Sequence, residues 1–142
     1  MKVLGVDYGE KRTGIAISDD LGLIANPIKT ITETNKTCLI NEILQIIKEN
    51  NIEKVIVGKP LNMNGTEGMR VQKTIEFADD LEKQAKIHVE LIDERLTTVT
   101  AHNILNETGL NGSKKRKNII DTLSAVIILQ QYLNREDIKN GR

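Results

Sequence analysis

The sequence predicts an α/β fold: a mixed five-stranded sheet, three antiparallel strands then two parallel, with helices on both faces. Two observations carry this. The N-terminal part runs through three strand-like segments in quick succession, each ended by a turn. Beyond it, amphipathic helical stripes alternate with short all-apolar runs, an order that requires right-handed crossovers and hence parallel strands. At 142 residues the chain is read as one domain, 1–142, around a single core.

Residues 2–7 and 12–18 read as two strands joined by a tight turn. In the second, Ile15 and Ile17 face one way, and Gly14, Ala16 and Ser18 the other. The stretch NPIKTI is a third strand of edge type, with Pro27 at its start. NKTCLINEILQIIKENN places Leu39, Ile40, Ile43, Leu44 and Ile47 on one helical stripe. EKVIVG is a short apolar strand, as expected where both faces are covered. TEGMRVQKTIEFADDLEKQAK repeats the helix, with Val71, Ile75, Ala78, Leu81 and Ala85 inward and Thr66 as a cap. HVELID is the fifth strand. A helix over 97–107, a Gly- and Lys-rich loop, and a last helix over 117–133 complete the chain.

Composition narrows the function. Twenty basic residues offset twenty acidic ones, so a polyanion has to be held by local patches. Tyr8, Phe77 and Tyr132 are the only aromatics, too few for a base-stacking platform. The single cysteine, Cys38, excludes an internal disulfide and a thiolate metal cage. The first residues enter a strand pattern without a signal-peptide core, and the longest apolar run is short and carries Asp121. A cytoplasmic protein with no membrane association is expected.

The chemistry rests on acids. Ligands collect beyond the carboxyl ends of parallel strands, where Asp7, the GKPLNMNG loop and DER all fall. Asp7 ends strand one, Asp93 and Glu94 end strand five, and Asp121 lies among Ile119, Ile120 and Leu123. Converging carboxylates repel one another unless cations sit between them. Hard oxygen donors suit Mg²⁺ or Mn²⁺, and two such ions roughly 4 Å apart can activate a water and stabilise a phosphodiester's leaving oxygen. Each acid also has a purely structural reading: Asp7 as a turn residue, Asp93 and Glu94 as a solvated strand end pairing with Arg95, and Asp121 in a capping box with Asn118.

Around them, Gly9 gives a phosphate or metal close access to the backbone. Lys11 and Arg12 can hold phosphate oxygens, or be exposed hairpin charges. Asn62 and Asn64 either hydrogen-bond a substrate or shape their loop. The basic stretch NGSKKRK, with Lys114, Lys115, Arg116 and Lys117, reads as a backbone-phosphate clamp beside Asp121 or as a solvated face. His88 and His102 show no ligand spacing.

Together, GVDYGEKRTGIAISD, VGKPLNMNGTEG, DERLTT and KRKNIIDTLSAVIIL resemble, in order and over nearly the whole chain, the four signature blocks of the YqgF family. These are small bacterial RuvC-like proteins with the ribonuclease H-like fold. The resemblance implies a Mg²⁺- or Mn²⁺-dependent nuclease, described both as a Holliday junction resolvase and as the nuclease that matures the 5′ end of pre-16S ribosomal RNA. By position, the catalytic and metal-binding carboxylates would be Asp7, an acid from Asp93–Glu94 (Glu94 is taken as catalytic), and Asp121. Lys11, Arg12, Asn62, Arg95 and the 114–117 cluster would hold nucleic acid. Lys59, Asn64 and Ser124 stand where the family more often has Leu, Asp and Ala; none touches the three acids. Partners implied are precursor rRNA or branched DNA, and ribosomal particles, with monomer and homodimer both open. Two other classes fit less well. An actin-like sugar kinase needs a second such domain facing the first. A non-catalytic binder of structured RNA has no reason to keep three acids that repel its ligand.

Overall fold

The computed structural model describes residues 1–59, 68–93 and 113–139, with side chains over 122–137 in the last segment. The strands β1 (Val3–Asp7), β2 (Arg12–Ser18) and β3 (Ala25–Thr32) precede α1 (Lys36–Asn50). Then come β4 (Lys54–Lys59), α2 (Met69–Ala85), β5 (His88–Asp93) and α3 (Ser113–Lys139). The sheet order is β3-β2-β1-β4-β5. β1 pairs antiparallel with β2, and β2 with β3, while β4 lies parallel to both β1 and β5. The mixed five-stranded sheet is therefore as the pattern of strands predicts. The helix expected over 97–107 lies outside the described residues.

All five residues of β1 are buried, because it is central and covered on both faces. On one side Leu4, Val6, Ile15, Val55 and Val57 pack against Leu39, Ile40 and Ile43 of α1 and Phe77 and Leu81 of α2. On the other, Val3, Ala16 and Ile56 pack against Ala125, Ile128, Leu129 and Tyr132 of α3. At the edge, the β2–β3 register slips between Ile15 and Ala16, which pair with Lys29 and Pro27. The bulge falls beside the proline, where a missing N–H costs least.

α1 starts on Asn35, whose side chain accepts a hydrogen bond from the Cys38 amide, and ends on Asn51 in the left-handed region (φ 54°, ψ 46°). Its buried stripe includes Ile46; Leu44 is only partly covered. α2 begins later than its sequence suggests. Its N-cap is Gly68, with no side-chain cap, rather than Thr66; Val71, Ala78 and Leu81 are buried and Ala85 packs against the core as expected, while Thr74 is buried in place of Ile75 and Phe77 joins it. α3 is longer at both ends than 117–133. It starts at Ser113, so Lys114, Lys115, Arg116 and Lys117 belong to helical backbone instead of a loop. Asp121 then falls in the third turn of α3, and a capping box with Asn118 is ruled out.

A polar cluster fastens α3 to the sheet at the end where β4 and β5 begin. Lys54 Nζ donates to Tyr132 Oη at 2.9 Å and to Glu90 Oε1 at 3.1 Å, and Arg135 closes on the other Glu90 oxygen. Both cations also lie against the Tyr132 ring, at 4.7 and 5.1 Å from its centroid. Burial pushes the Glu90 carboxyl up, but hydrogen bonds from Arg135 and Lys54 outweigh this and hold it below the ordinary glutamate value. A carboxylate depressed in the fold adds stability above its unfolded pKa and loses it as pH falls through the folded one. Glu90→Gln should therefore lower stability at pH 7 by on the order of 1 kcal/mol. It should also flatten the acid limb of a urea-midpoint-against-pH profile. A variant profile parallel to the parent's through that limb would show that Glu90 contributes nothing.

Candidate active site

Strand alternation gives β1 two faces. Leu4, Val6 and Tyr8 belong with the α1/α2 core, and Val3, Gly5 and Asp7 lie toward α3. Asp7 is 9% exposed, a nearly buried carboxylate at the strand's end. Tyr8, next in line, stacks on Phe77 of α2 with ring centroids 4.3 Å apart. That contact anchors the chain on one side of the sheet as Asp7 turns to the other.

The row that Asp7 occupies is narrow in side chains and covered by α3. Its partner on β2 is Gly14, whose own partner on β3 is Thr30. The residue beside the carboxylate on its own face is thus a glycine, itself buried. Thr30 and Thr122 share a hydrogen bond between their hydroxyls, which brings α3 down onto this same row. Eight residues on, Gln130 accepts from the Ala25 amide and donates to the Leu23 carbonyl, both at 2.9 Å. α3 thus runs antiparallel to β1 and β3. Moving toward its start is moving toward the carboxyl end of β1.

The fit between α3 and β1 is tight. A Cβ placed on Gly5 would lie 2.7 Å from Leu129 Cβ and 3.1 Å from the Ala125 carbonyl oxygen. Gly5 lets the helix lie directly on the strand. One helical turn before Ala125 is residue 121, and two residues beyond Gly5 is Asp7. The backbone positions of the first and last sequence-predicted acids therefore share one end and one face of the sheet.

The other expected residues divide. Asp93 pairs with Lys59 at the same end of the sheet. In the alternation of β5 it follows Val89 and Leu91, which pack on the α1/α2 core, while Ile92 packs on the α3 side. Asp93 is thus placed on the face opposite Asp7. Asn62, Glu94 and Arg95 lie outside the described residues, as do the side chains of Asp121, Lys114, Lys115, Arg116 and Lys117. Among the described residues no group of three potential metal-binding side chains forms. Gly9 closes the β1–β2 turn: a Cβ there would come within 2.2 Å of the Arg12 carbonyl oxygen. The Thr13 hydroxyl braces that turn against the Gly9 amide and carbonyl, at 3.3 Å each. His88 sits at the other end of β5, 3.2 Å from Glu82.

Lys11 and Arg12 do come into a built feature. They line a cleft of ≈ 550 Å³ with Gly9 and Glu10 from the turn and Met69, Arg70 and Lys73 from the start of α2. Arg70 and Lys73 were not singled out from the sequence; their one signal is i, i+3 spacing on an uncapped helix start. Among the described residues at this end of the sheet, the donor chemistry is of the kind a hard divalent cation takes. Asp7 offers carboxylate oxygen, and the softer candidates among the described residues lie elsewhere: Cys38 is exposed on α1 and His88 is engaged with Glu82. Among the described residues no helix is long and apolar enough to cross a membrane.

Comparison with known proteins agrees with this layout. The family model RuvX, described as Holliday junction resolvase, matches residues 1–135. A protein of Ruminiclostridium cellulolyticum named "Putative pre-16S rRNA nuclease" is 44% identical over 138 residues, covering 95% of either chain. One of the same name from Acetivibrio thermocellus is 48% identical over 136 residues, covering 94% of this chain and 96% of the other. Among solved structures, Thermus thermophilus RuvC in complex with a Holliday junction substrate superposes with a TM-score of 0.59 at 13% identity, over 96% of this chain and 95% of that one. The fowlpox virus resolvase with Holliday junction DNA gives 0.55 at 15% identity, over 96% and 99%. At such identities the likeness is one of fold, and it is the RuvC-like, ribonuclease H-like fold.

Proposed function

Because the chain belongs to the RuvX family, also called YqgF, we propose that it is a metal-dependent endonuclease acting on phosphodiester bonds, in 5′-end maturation of pre-16S ribosomal RNA. The observation that carries the chemistry is the convergence of Asp7 and position 121 on one face at one end of the sheet. The names of the relatives at 44% and 48% identity support the RNA substrate.

In this reading Asp7, Glu94 and Asp121 hold Mg²⁺ or Mn²⁺. Asp93 alternates onto the opposite face, which favours Glu94, the next residue in the chain, as the third acid of this reading. Bound divalent ions would supply activation of water and neutralisation of charge at the leaving oxygen. The chain's own part is placement. Asp7 is fixed by a strand buried on both faces. Lys11 and Arg12 engage backbone phosphates and confer no sequence choice. Water adds its hydroxyl to phosphorus and its proton to O3′, leaving a 5′-phosphate and a 3′-hydroxyl. Such a site requires no membrane and works in the cytoplasm.

A second reading, a junction-cutting DNA nuclease, is favoured by the description of the family model. One experiment separates the two: the purified chain with Mn²⁺, given in parallel a 5′ precursor 16S rRNA fragment, free or in ribosomal particles, and a four-way DNA junction. Cleavage of the RNA with a new 5′-phosphate is the expected result. Symmetric cutting of the junction alone would favour the second reading, and cleavage of neither substrate would refute both.

A further inference from the structure

The cleft between the β1–β2 turn and the start of α2 concentrates charge in a chain that is neutral as a whole. Lys11, Arg12, Arg70 and Lys73 line it, and Glu10 is the one carboxylate among its lining residues. It opens on the α2 side of the turn that directly follows Asp7. Gly9 is two residues on from Asp7, a chain distance of about 7 Å. Asp7 itself faces α3, so a strand whose scissile phosphate sits beside it would reach the cleft by passing over the end of β1.

The arrangement inside is specific. Lys73 Nζ donates to Glu10 Oε1, so the turn and α2 are tied across the cleft by a carboxylate–ammonium pair. The Lys73 hydrogen bond, ahead of its simple charge attraction, holds the Glu10 carboxyl below the usual glutamate range, and Arg70 and Lys11 act in the same direction. Both partners are more than half exposed, at 52% and 63%. Such a pair adds little to stability and is readily exchanged. The stacking of Tyr8 on Phe77 fixes the turn against α2, so the cleft walls hold without the pair. The uncapped start of α2 adds the positive end of its dipole.

We infer that this cleft is a second phosphate subsite for the substrate strand, in which Arg70 and Lys73 join Lys11 and Arg12, and that Glu10 occupies Lys73 until a phosphate displaces it. The inference rests on the nuclease reading for the identity of the strand. It assigns Arg70 and Lys73 a substrate contact and Glu10 the role of a built-in competitor that weakens binding and speeds release.

The test uses the full-length chain and a fluorescein-labelled single-stranded RNA of about twenty nucleotides, titrated in EDTA over a range of salt so that cleavage does not intervene. Arg70→Gln should weaken binding severalfold and make the slope of log K against log salt shallower by about 0.7 to 1. Glu10→Gln should do the reverse: severalfold tighter binding and a slope steeper by a similar amount. The gain should vanish in Glu10→Gln/Lys73→Gln, because it depends on the released ammonium. Lys48→Gln, in the last turn of α1 at the other end of the sheet, removes the same charge and should change neither quantity. With Mn²⁺, Arg70→Gln should raise KM by more than it lowers kcat.

Binding and slopes equal to the parent's in both Arg70→Gln and Glu10→Gln would overturn the subsite. So would a Lys48→Gln effect as large as theirs, or a Glu10→Gln gain that survives in the double variant. The two proposals fail separately. Cleavage with cleft-independent binding refutes the subsite alone, cleft-dependent binding without cleavage under any metal refutes the nuclease alone, and no RNA binding at all refutes the subsite.

Discussion

Asp7→Asn is expected to abolish Mn²⁺- or Mg²⁺-dependent cleavage, by on the order of 10³-fold or more, while leaving the fold in place. The substitution keeps the size and shape of the side chain and removes only its charge and one anionic oxygen. At 9% exposure in a strand covered on both faces, the amide has little freedom to adopt another position. The far-ultraviolet circular dichroism and the cooperativity of unfolding should match the parent's. Metal supplies a second readout. A ligand that binds only the folded state stabilises it by mass action, so Mn²⁺ should raise the unfolding midpoint of the parent and leave that of Asp7→Asn unmoved. Retained cleavage together with an intact Mn²⁺ shift would remove Asp7 from the site. Loss of cleavage with the metal shift preserved would mean that Asp7 orients substrate and that other acids hold the ion.

What the sequence made legible here follows the range of each interaction. The strands were readable because alternation is local: Ile15 and Ile17 do face the α1/α2 core, and Gly14, Ala16 and Ser18 the other side. That Asp7 ends a buried strand was visible for the same reason. The inward stripe of α2 differs from the sequence pattern in one turn, at Thr74 and Phe77. Thr74 and Phe77 face inward, and a threonine is an unobvious core residue until its hydroxyl is satisfied, here by the Arg70 carbonyl at 3.0 Å. The start of α3 was hidden by its own chemistry. Gly112 and a run of cations read as a loop, since positive charge at a helix start opposes the dipole, yet Lys and Arg are good helix formers. The backbone is helical from Ser113. The cleft was the least legible feature, because Glu10 and Lys73 meet only through the tertiary fold and neither carries a local pattern. Only after Tyr8 is seen stacked on Phe77 does the turn acquire a neighbour.

The close approach of α3 to β1 was not readable either, and it supports the other large expected effect. Gly5→Ala should destabilise the protein by about 1–3 kcal/mol and lower cleavage by on the order of 10²-fold, although residue 5 contacts no substrate in the proposed mechanism. The obstacles to a methyl group at Gly5 are Leu129 Cβ at 2.7 Å and the Ala125 carbonyl at 3.1 Å. Neither is the tip of a flexible side chain, so the clash is relieved only by moving the helix away from the strand. Position 121 is one turn from Ala125 and moves with it, while Asp7 stays in the sheet. The two acids then separate, and an ångström is enough to spoil a shared ion site. This account also predicts a failed rescue. Leu129→Ala removes the distal atoms and leaves Cβ where it was, so Gly5→Ala/Leu129→Ala should recover no activity and should be less stable than either single variant. Recovery in the double variant would place the clash at the leucine tip instead of the helix backbone. Parent-like stability and cleavage in Gly5→Ala would refute the idea that the α3–β1 contact sets the distance between the acids.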